Sequence, residues 1–248
     1  HLLLLALFIV SPVCQADFIV TNVNIVDVSA RQIRANQAVV VVDDKIAAVI
    51  DASQLPSGFE IIDGNQGYLT PGLIDMHVHM YEPAAYTIAL SHGVTHVRIM
   101  NGMPAHLDWR EQVSSGKLVG TSSTVSSPIL SGYLESPTHH GIVTATEARN
   151  AVRRYHQQGY DLIKAYGNLS EPTLRALIAE ASLLGIPVAK HGPHGTGTLS
   201  YDELTGLQSF EHVEDIYQGP LNYAKNIDSI APLLGELKAS GVPITPTL

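Results

Sequence analysis

Four histidines and one lysine hold the chemistry open to this sequence. His77 and His79 close the segment Pro71-Gly72-Leu73-Ile74-Asp75-Met76-His77-Val78-His79. Side chains alternate along a strand, so residues i and i+2 share a face. Two imidazoles on one face at the end of a strand can grip one metal ion in a geometry set by the backbone. Lys164 lies inside the apolar run Leu162-Ile163-Lys164-Ala165-Tyr166. Burial penalises its cation and lowers its pKa, and a neutral amine can add carbon dioxide to become a carbamate, a negatively charged bridging ligand. The competing reading is a snorkelling side chain with its ammonium in water. His191 and His212 end two further runs, Ile186-Pro187-Val188-Ala189-Lys190-His191 and Ser209-Phe210-Glu211-His212. Each alone could be a structural histidine; the coincidence of all five at strand ends points to a metal site.

Such residues need strands that deliver them to one rim. From residue 69 the pattern alternates strand and helix, with strands expected at 69–79, 94–100, 121–130, 160–166, 186–191, 208–212 and 242–248. Helix signals separate them. Thr144-x-x-Glu147 is a capping box followed by Ala148, Ala151, Val152 and Tyr155 at helical spacing. Ser170 precedes a helix with Pro172 in its first turn, and Ser200-x-x-Glu203 is a second capping box. Alternation of this kind calls for an α/β fold with a parallel sheet and helices outside. Seven parallel strands suit a TIM (β/α)8 barrel, whose active sites are built at the C-terminal ends of the strands. A barrel alone takes ~250 residues. One starting near residue 67 is therefore expected to be incomplete at the C-terminus, with about seven strands present. Residues 17–66 read instead as a small β-sheet segment, with β-branched runs at 39–42 and 46–50 around an Asp43-Asp44-Lys45 turn.

The segment from Leu69 to His79, with Ile163-Lys164-Ala165-Tyr166, His191-Gly192-Pro193, Phe210-Glu211-His212 and Pro246-Thr247-Leu248, resembles the amidohydrolase superfamily. The likeness extends over 17–248, and its nearest branch is imidazolonepropionase-like and Xaa-Pro-dipeptidase-like. The resemblance implies two divalent metal ions, usually zinc. His77 and His79 would bind the first, a carboxylated Lys164 would bridge both, and His191 and His212 would bind the second. It implies hydrolysis of C–N bonds (amide, cyclic amide or peptide) by a metal-bound hydroxide, and an aspartate at the end of an eighth strand, expected beyond residue 248. Tyr166 is a candidate hydrogen-bond donor to the scissile carbonyl. His139 and His140 fall in the loop after the third strand, where related enzymes contact substrate, and His140 is carried forward as a catalytic candidate. His194 competes with His191 as ligand. His92 is read as a helix C-terminal residue, and His96, His106 and His156 as structural or exposed. Arg98-Ile99 departs from the Arg-Asp pair of related second strands, so no substrate contact is assigned there. Three alternatives stay open: a lactone or phosphoester hydrolase on the same fold, a non-catalytic barrel with a vestigial site, and a mononuclear enzyme in which Lys164 is only structural.

Composition narrows the partners. The chain of 248 residues has 14 basic and 23 acidic side chains, a formal charge of −9. Phosphate binding is driven by clustered Lys and Arg, so a small-molecule or short-peptide substrate is expected and nucleic acid is not. Residues 1–16 read as a signal peptide without its charged start, with an apolar run at 2–10 and a cleavage site after Ala16. Export to a periplasmic or extracellular location follows as the expectation. No later segment is apolar enough for stable membrane insertion, and an oligomer is compatible with everything above.

Overall fold

The computed structural model describes residues 17–192 and 204–247, apart from 219, 220, 222, 224 and 225. The expected signal segment 1–16, His194 and the capping box at Ser200 lie outside the described residues. The chain divides at Pro71/Gly72 into two compact units.

The first unit is a five-stranded sheet. Strand β1 (Phe18–Asp27) runs antiparallel to β2 (Gln32–Val42) and parallel to β4 (Glu60–Asp63) and β5 (Tyr68–Leu69). Strand β3 (Lys45–Asp51) completes the sheet beside β2. Val42 faces Lys45 across a turn in which Asp43 and Asp44 have φ of 47° and 64°. Two residues at positive φ make the mirror-image turn whose twist matches that of a hairpin, and a short polar side chain tolerates that backbone. Ile19, Ala38 and Val40 form its small core.

The second unit alternates strand and helix. In chain order it comprises β6 (Leu73–Val78), α1 (Ala84–Ser91), β7 (Val94–Ile99), α2 (Pro104–Ser114), β8 (Ser122–Val125), β9 (Ile129–Ser131), β10 (His139–Gly141), α3 (Ala145–Gln157) and β11 (Ile163–Ala165). Then follow α4 (Glu171–Leu184), β12 (Val188–His191), β13 (Ser209–Glu211), α5 (Val213–Gln218), α6 (Ile227–Ser240) and β14 (Ile244–Thr245). Every strand pair is parallel. Helix α3 begins at the expected box: the Glu147 amide donates to Thr144 Oγ1, and the Thr144 amide donates to the Glu147 carboxylate. Its inward face, Ala148, Ala151, Val152 and Tyr155, is buried with Ile163, Leu177 and Phe210 in one apolar cluster. At Ser170 the side chain makes no capping bond to a backbone amide; its Oγ lies 2.8 Å from Thr173 Oγ1 instead.

Three strands differ from expectation. The expected third strand, 121–130, is two: β8 pairs with β7, and β9 pairs with β11. The break falls at Ser126–Pro128, where proline offers no N–H to a ladder. The backbone still joins neighbours there, since the Ser126 amide donates to the Ile99 carbonyl (2.9 Å) and the Ser127 amide to the Leu162 carbonyl (2.8 Å). Residues 139–141, expected in a loop, form β10 beside β9. The expected seventh strand, 242–248, shortens to β14, flanked by Pro243 and Pro246. Among the described residues the strands therefore form two parallel sheets, β6-β7-β8 and β10-β9-β11-β12-β13-β14, bridged at Ser126–Leu162, and no closed ring. No described helix is long and apolar enough to cross a membrane.

Candidate active site

The C-terminal ends of β6, β11, β12 and β13 bring the predicted residues together. The His77 ring centroid lies 5.3 Å from that of His79 and 4.4 Å from that of His212. His191 stacks on His212 at 4.3 Å, and the Tyr166 ring meets His191 edge-on at 4.3 Å. Lys164 is fully buried, and its Nζ has no hydrogen-bond partner among the described residues. His79 is the exposed member of the group. The cluster takes in His139, whose ring lies 5.0 Å from Tyr166, and leaves out His140, whose Nδ1 pairs with the Tyr155 hydroxyl at 2.9 Å. Neighbouring strand residues point to opposite faces, so only one of this pair can face the cluster. His106 is structural: its Nδ1 accepts from the Met103 amide at the start of α2. His92 caps α1.

The imidazoles are held from behind. His77 Nδ1 lies 2.7 Å from Glu211 Oε2, His191 Nδ1 is 3.0 Å from Asp215 Oδ2, and His212 Nδ1 is 2.8 Å from Thr247 Oγ1. Where Nδ1–H donates to a carboxylate, Nε2 keeps the lone pair, the form a metal ligand needs. Asp215 also accepts from the Gly192 amide at 3.0 Å. Glycine is required at 192, because a Cβ there would collide with the Cβ of Asp215. His212 itself sits at φ 68°, the left-handed region where non-glycine residues are uncommon.

Burial shapes the protonation states. It lowers His191 to about 4 despite the Asp215 hydrogen bond, and His212 to about 3, with His191 and Lys164 adding repulsion. Both rings are neutral at pH 7. Burial brings Lys164 down to about 7 against the opposing pull of Glu211, and Lys190 to about 7 against that of Asp215. Lys190 is paired all the same, its Nζ donating to the carbonyls of His191 and Gly192 at 2.9 Å each. Burial alone would raise Glu211, but His77, Lys164, Ser209 and Arg98 together hold it at about 2.

Arg98, Glu211 and Asp215 are the parts that sequence reasoning missed. Arg98 is 2% exposed and Glu211 fully buried. Their signal in the sequence is a charge inside an apolar strand, Val97-Arg98-Ile99 and Phe210-Glu211, which demands a partner; the partner's identity has no local signal. Among the described residues no three His, Cys, Asp or Glu side chains are arranged to grip one ion, because the imidazoles lie against one another.

No protein-family model matches the chain. Adenine deaminase 2 of Rhizobium etli is 41% identical over 86 residues, 33% of this chain and 14% of that protein. Adenine deaminase 2 of a Bradyrhizobium species is 26% identical over 198 residues, 71% of this chain and 32% of that protein. The chain thus spans about a third or less of the length of the curated relatives it matches. Among solved structures, a Xaa-Pro dipeptidase with methionine bound in its active site superposes with a TM-score of 0.69 at 18% identity, covering 94% of this chain and 67% of that one. Bottromycin amidohydrolase gives a TM-score of 0.68 at 23% identity, covering 88% and 48%. This chain has the amidohydrolase fold. Within that fold His77, His191 and His212 stand at the rim of the parallel strands where active sites are built.

Proposed function

We propose that this chain carries the site of a metal-dependent hydrolase of C–N bonds in small amides, cyclic amides or short peptides, on a (β/α)8-type barrel. The observation that carries the reading is a cluster of imidazoles near a buried amine that has no hydrogen-bond partner among the described residues. Clustered imidazoles, two of them backed by carboxylates, and a Lys164 Nζ with no hydrogen-bond partner among the described residues are a donor set suited to borderline divalent cations such as zinc. His77 and His79 would hold one ion, His191 and His212 the other, and Lys164 would serve both as its carbamate. Chelation would require the stacked rings to spread.

The bound ions would supply Lewis acidity and a water acidified to near neutral pH. The chain supplies the rest. A Lys164 amine that is about half neutral near pH 7 can attack carbon dioxide: the neutral amine forms a C–N bond and releases one proton, which leaves a carbamate anion in place of an uncharged amine. Tyr166 lies against His191 with its hydroxyl kept protonated by burial, so it can donate to a substrate carbonyl oxygen. Next to His139 a cleft of ~270 Å³ is walled by Tyr81, Met103, Pro104, Pro128 and Pro137, without a charged side chain, and would take an uncharged substituent of the substrate. The apolar run at 2–10 supports export of the protein.

The test is a hydrolysis screen of dipeptides, N-acyl amino acids, cyclic amides and lactones with zinc-loaded protein. Turnover of a C–N substrate, abolished by chelation and restored by zinc, is expected. A chain that binds two zinc ions and turns over lactones alone would move the reading to ester chemistry. Absence of bound metal would end it.

A further inference from the structure

We infer that Glu211 is a positioning residue, held rigid by Arg98 and Ser209, which locks His77 as its Nδ1–H tautomer and so aims the Nε2 lone pair into the imidazole cluster. The inference deepens the metal-site reading and rests on it for its purpose. Both oxygens of the buried Glu211 carboxylate are occupied. Oε1 accepts from Arg98 Nη2 at 2.6 Å and from the Ser209 hydroxyl at 2.5 Å, and Oε2 faces His77 Nδ1 at 2.7 Å. The carboxylate therefore cannot turn away from His77 without leaving a buried guanidinium unpaired.

Arg98 is anchored in turn. Its Nε donates to the carbonyl of Met76, the residue before His77, at 2.7 Å. Its Nη1 donates to Ser209 Oγ at 3.0 Å and to Gln208 at 3.3 Å, and its Nη2 to Thr245 Oγ1 at 3.1 Å. One side chain on β7 thus grips the strand that carries His77, the strand that carries Glu211, and β14. This explains a cost that packing alone would not select: a buried ion pair is often no more stabilising than an apolar pair of the same volume. Held this way, His77 has one ring orientation and one tautomer. Glu211 plays for His77 the part that Asp215 plays for His191, with the difference that its grip spans both sheets.

The experiment uses the full chain labelled with ¹⁵N-histidine, metal-free, at pH 8. Long-range ¹H–¹⁵N correlations, assigned with His77→Asn, report which ring nitrogen carries the proton. The wild type should show Nδ1–H at His77. Because Glu211→Gln can still accept through its amide oxygen, it should retain much of that state. The double variant Arg98→Met/Glu211→Met removes both charges together and avoids a lone buried guanidinium. It should shift His77 to Nε2–H and weaken zinc binding, measured by chelator competition, about 10- to 100-fold. An Nε2–H proton on His77 in the wild type overturns the inference, and so does unchanged zinc affinity in a folded double variant. If the double variant fails to fold, the wild-type tautomer alone decides. A wild type that binds no zinc yet shows Nδ1–H defeats the metal reading and leaves the positioning role intact.

Discussion

Replacing Lys164 with methionine should make the metal-free protein more stable while removing its capacity for a second ion. Methionine fills nearly the volume of the lysine stem and leaves no amine to desolvate. The magnitude follows from the shift of Lys164 from 10.5 to about 7. At pH 7.5 the unfolded side chain is charged and the folded one largely neutral. Three pH units separate 7.5 from 10.5, and at 1.36 kcal/mol per unit the cost of burial is about 4 kcal/mol. That figure is a ceiling, since Glu211 loses a nearby cation, although it keeps Arg98 and His77. The sign also fixes a pH window. Because the folded pKa lies below the unfolded one, the unfolded chain binds more protons between pH 7 and 10.5, and wild-type stability rises across that range. The advantage of the variant should shrink to about 1.4 kcal/mol at pH 9.5. Urea unfolding of metal-free, bicarbonate-free protein at the two pH values reads this directly. With a slope of about 2 kcal/mol per molar, the midpoint gain approaches 2 M at pH 7.5. Metal analysis should show at most one zinc per chain, against the two expected of the wild type. A variant less stable than wild type at pH 7.5, or a gap that does not narrow at pH 9.5, would refute the reasoning.

Lowering the pH should destabilise the metal-free protein between about 6.5 and 4. His191 and His212, at about 4 and 3, are neutral in the fold, and their contribution is complete above 6.5 and lost on acidification; urea midpoints that stay flat across this window would contradict it. Gly192→Ala should cost about 1–3 kcal/mol by overpacking against Asp215, and should weaken zinc binding by displacing the carboxylate behind His191, as chelator competition would show. Tyr166→Phe should lower kcat about 100-fold with little change in KM; an effect confined to KM would assign the hydroxyl to ground-state binding. Glu147→Ala, which opens the capping box of α3, should cost about 1 kcal/mol of stability and leave zinc stoichiometry unchanged, as thermal unfolding and metal analysis would report.

What the sequence made legible was local or periodic. The Asp43-Asp44 turn, the Thr144/Glu147 cap and the shared strand face of His77 and His79 each depend on residues within four positions of one another. The gathering of His77, Lys164, His191 and His212 could be anticipated because parallel strands followed by helices put their C-terminal ends on one rim. The break in 121–130 was harder to see, since β-branched and small residues continue through it and only Pro128 marks the missing donor. Choosing between His139 and His140 required knowing that β10 pairs with β9, which fixes the face of each residue. Arg98 and Glu211 meet across 113 positions, and only the folded chain sets that register.

The charge balance of this interior makes the final argument for a cation. Arg98, Lys164 and Lys190 are the buried basic groups, while Glu211 and Asp215 are the nearby buried anions that act on them. With both lysines protonated the group would be net positive, a state that the low values of Lys164 and Lys190 already oppose. Carbamate formation on Lys164 exchanges one positive charge for a negative one and leaves the group net negative, in the presence of neutral imidazole lone pairs. A scaffold built only for stability would replace these groups with apolar ones of similar volume. Lys190 has its two carbonyl acceptors and Arg98 its five, so both are satisfied as cations. Among the described residues Lys164 alone of the three has nothing to donate to, and the proposed divalent ion with a carbamate would remove this defect at its own position.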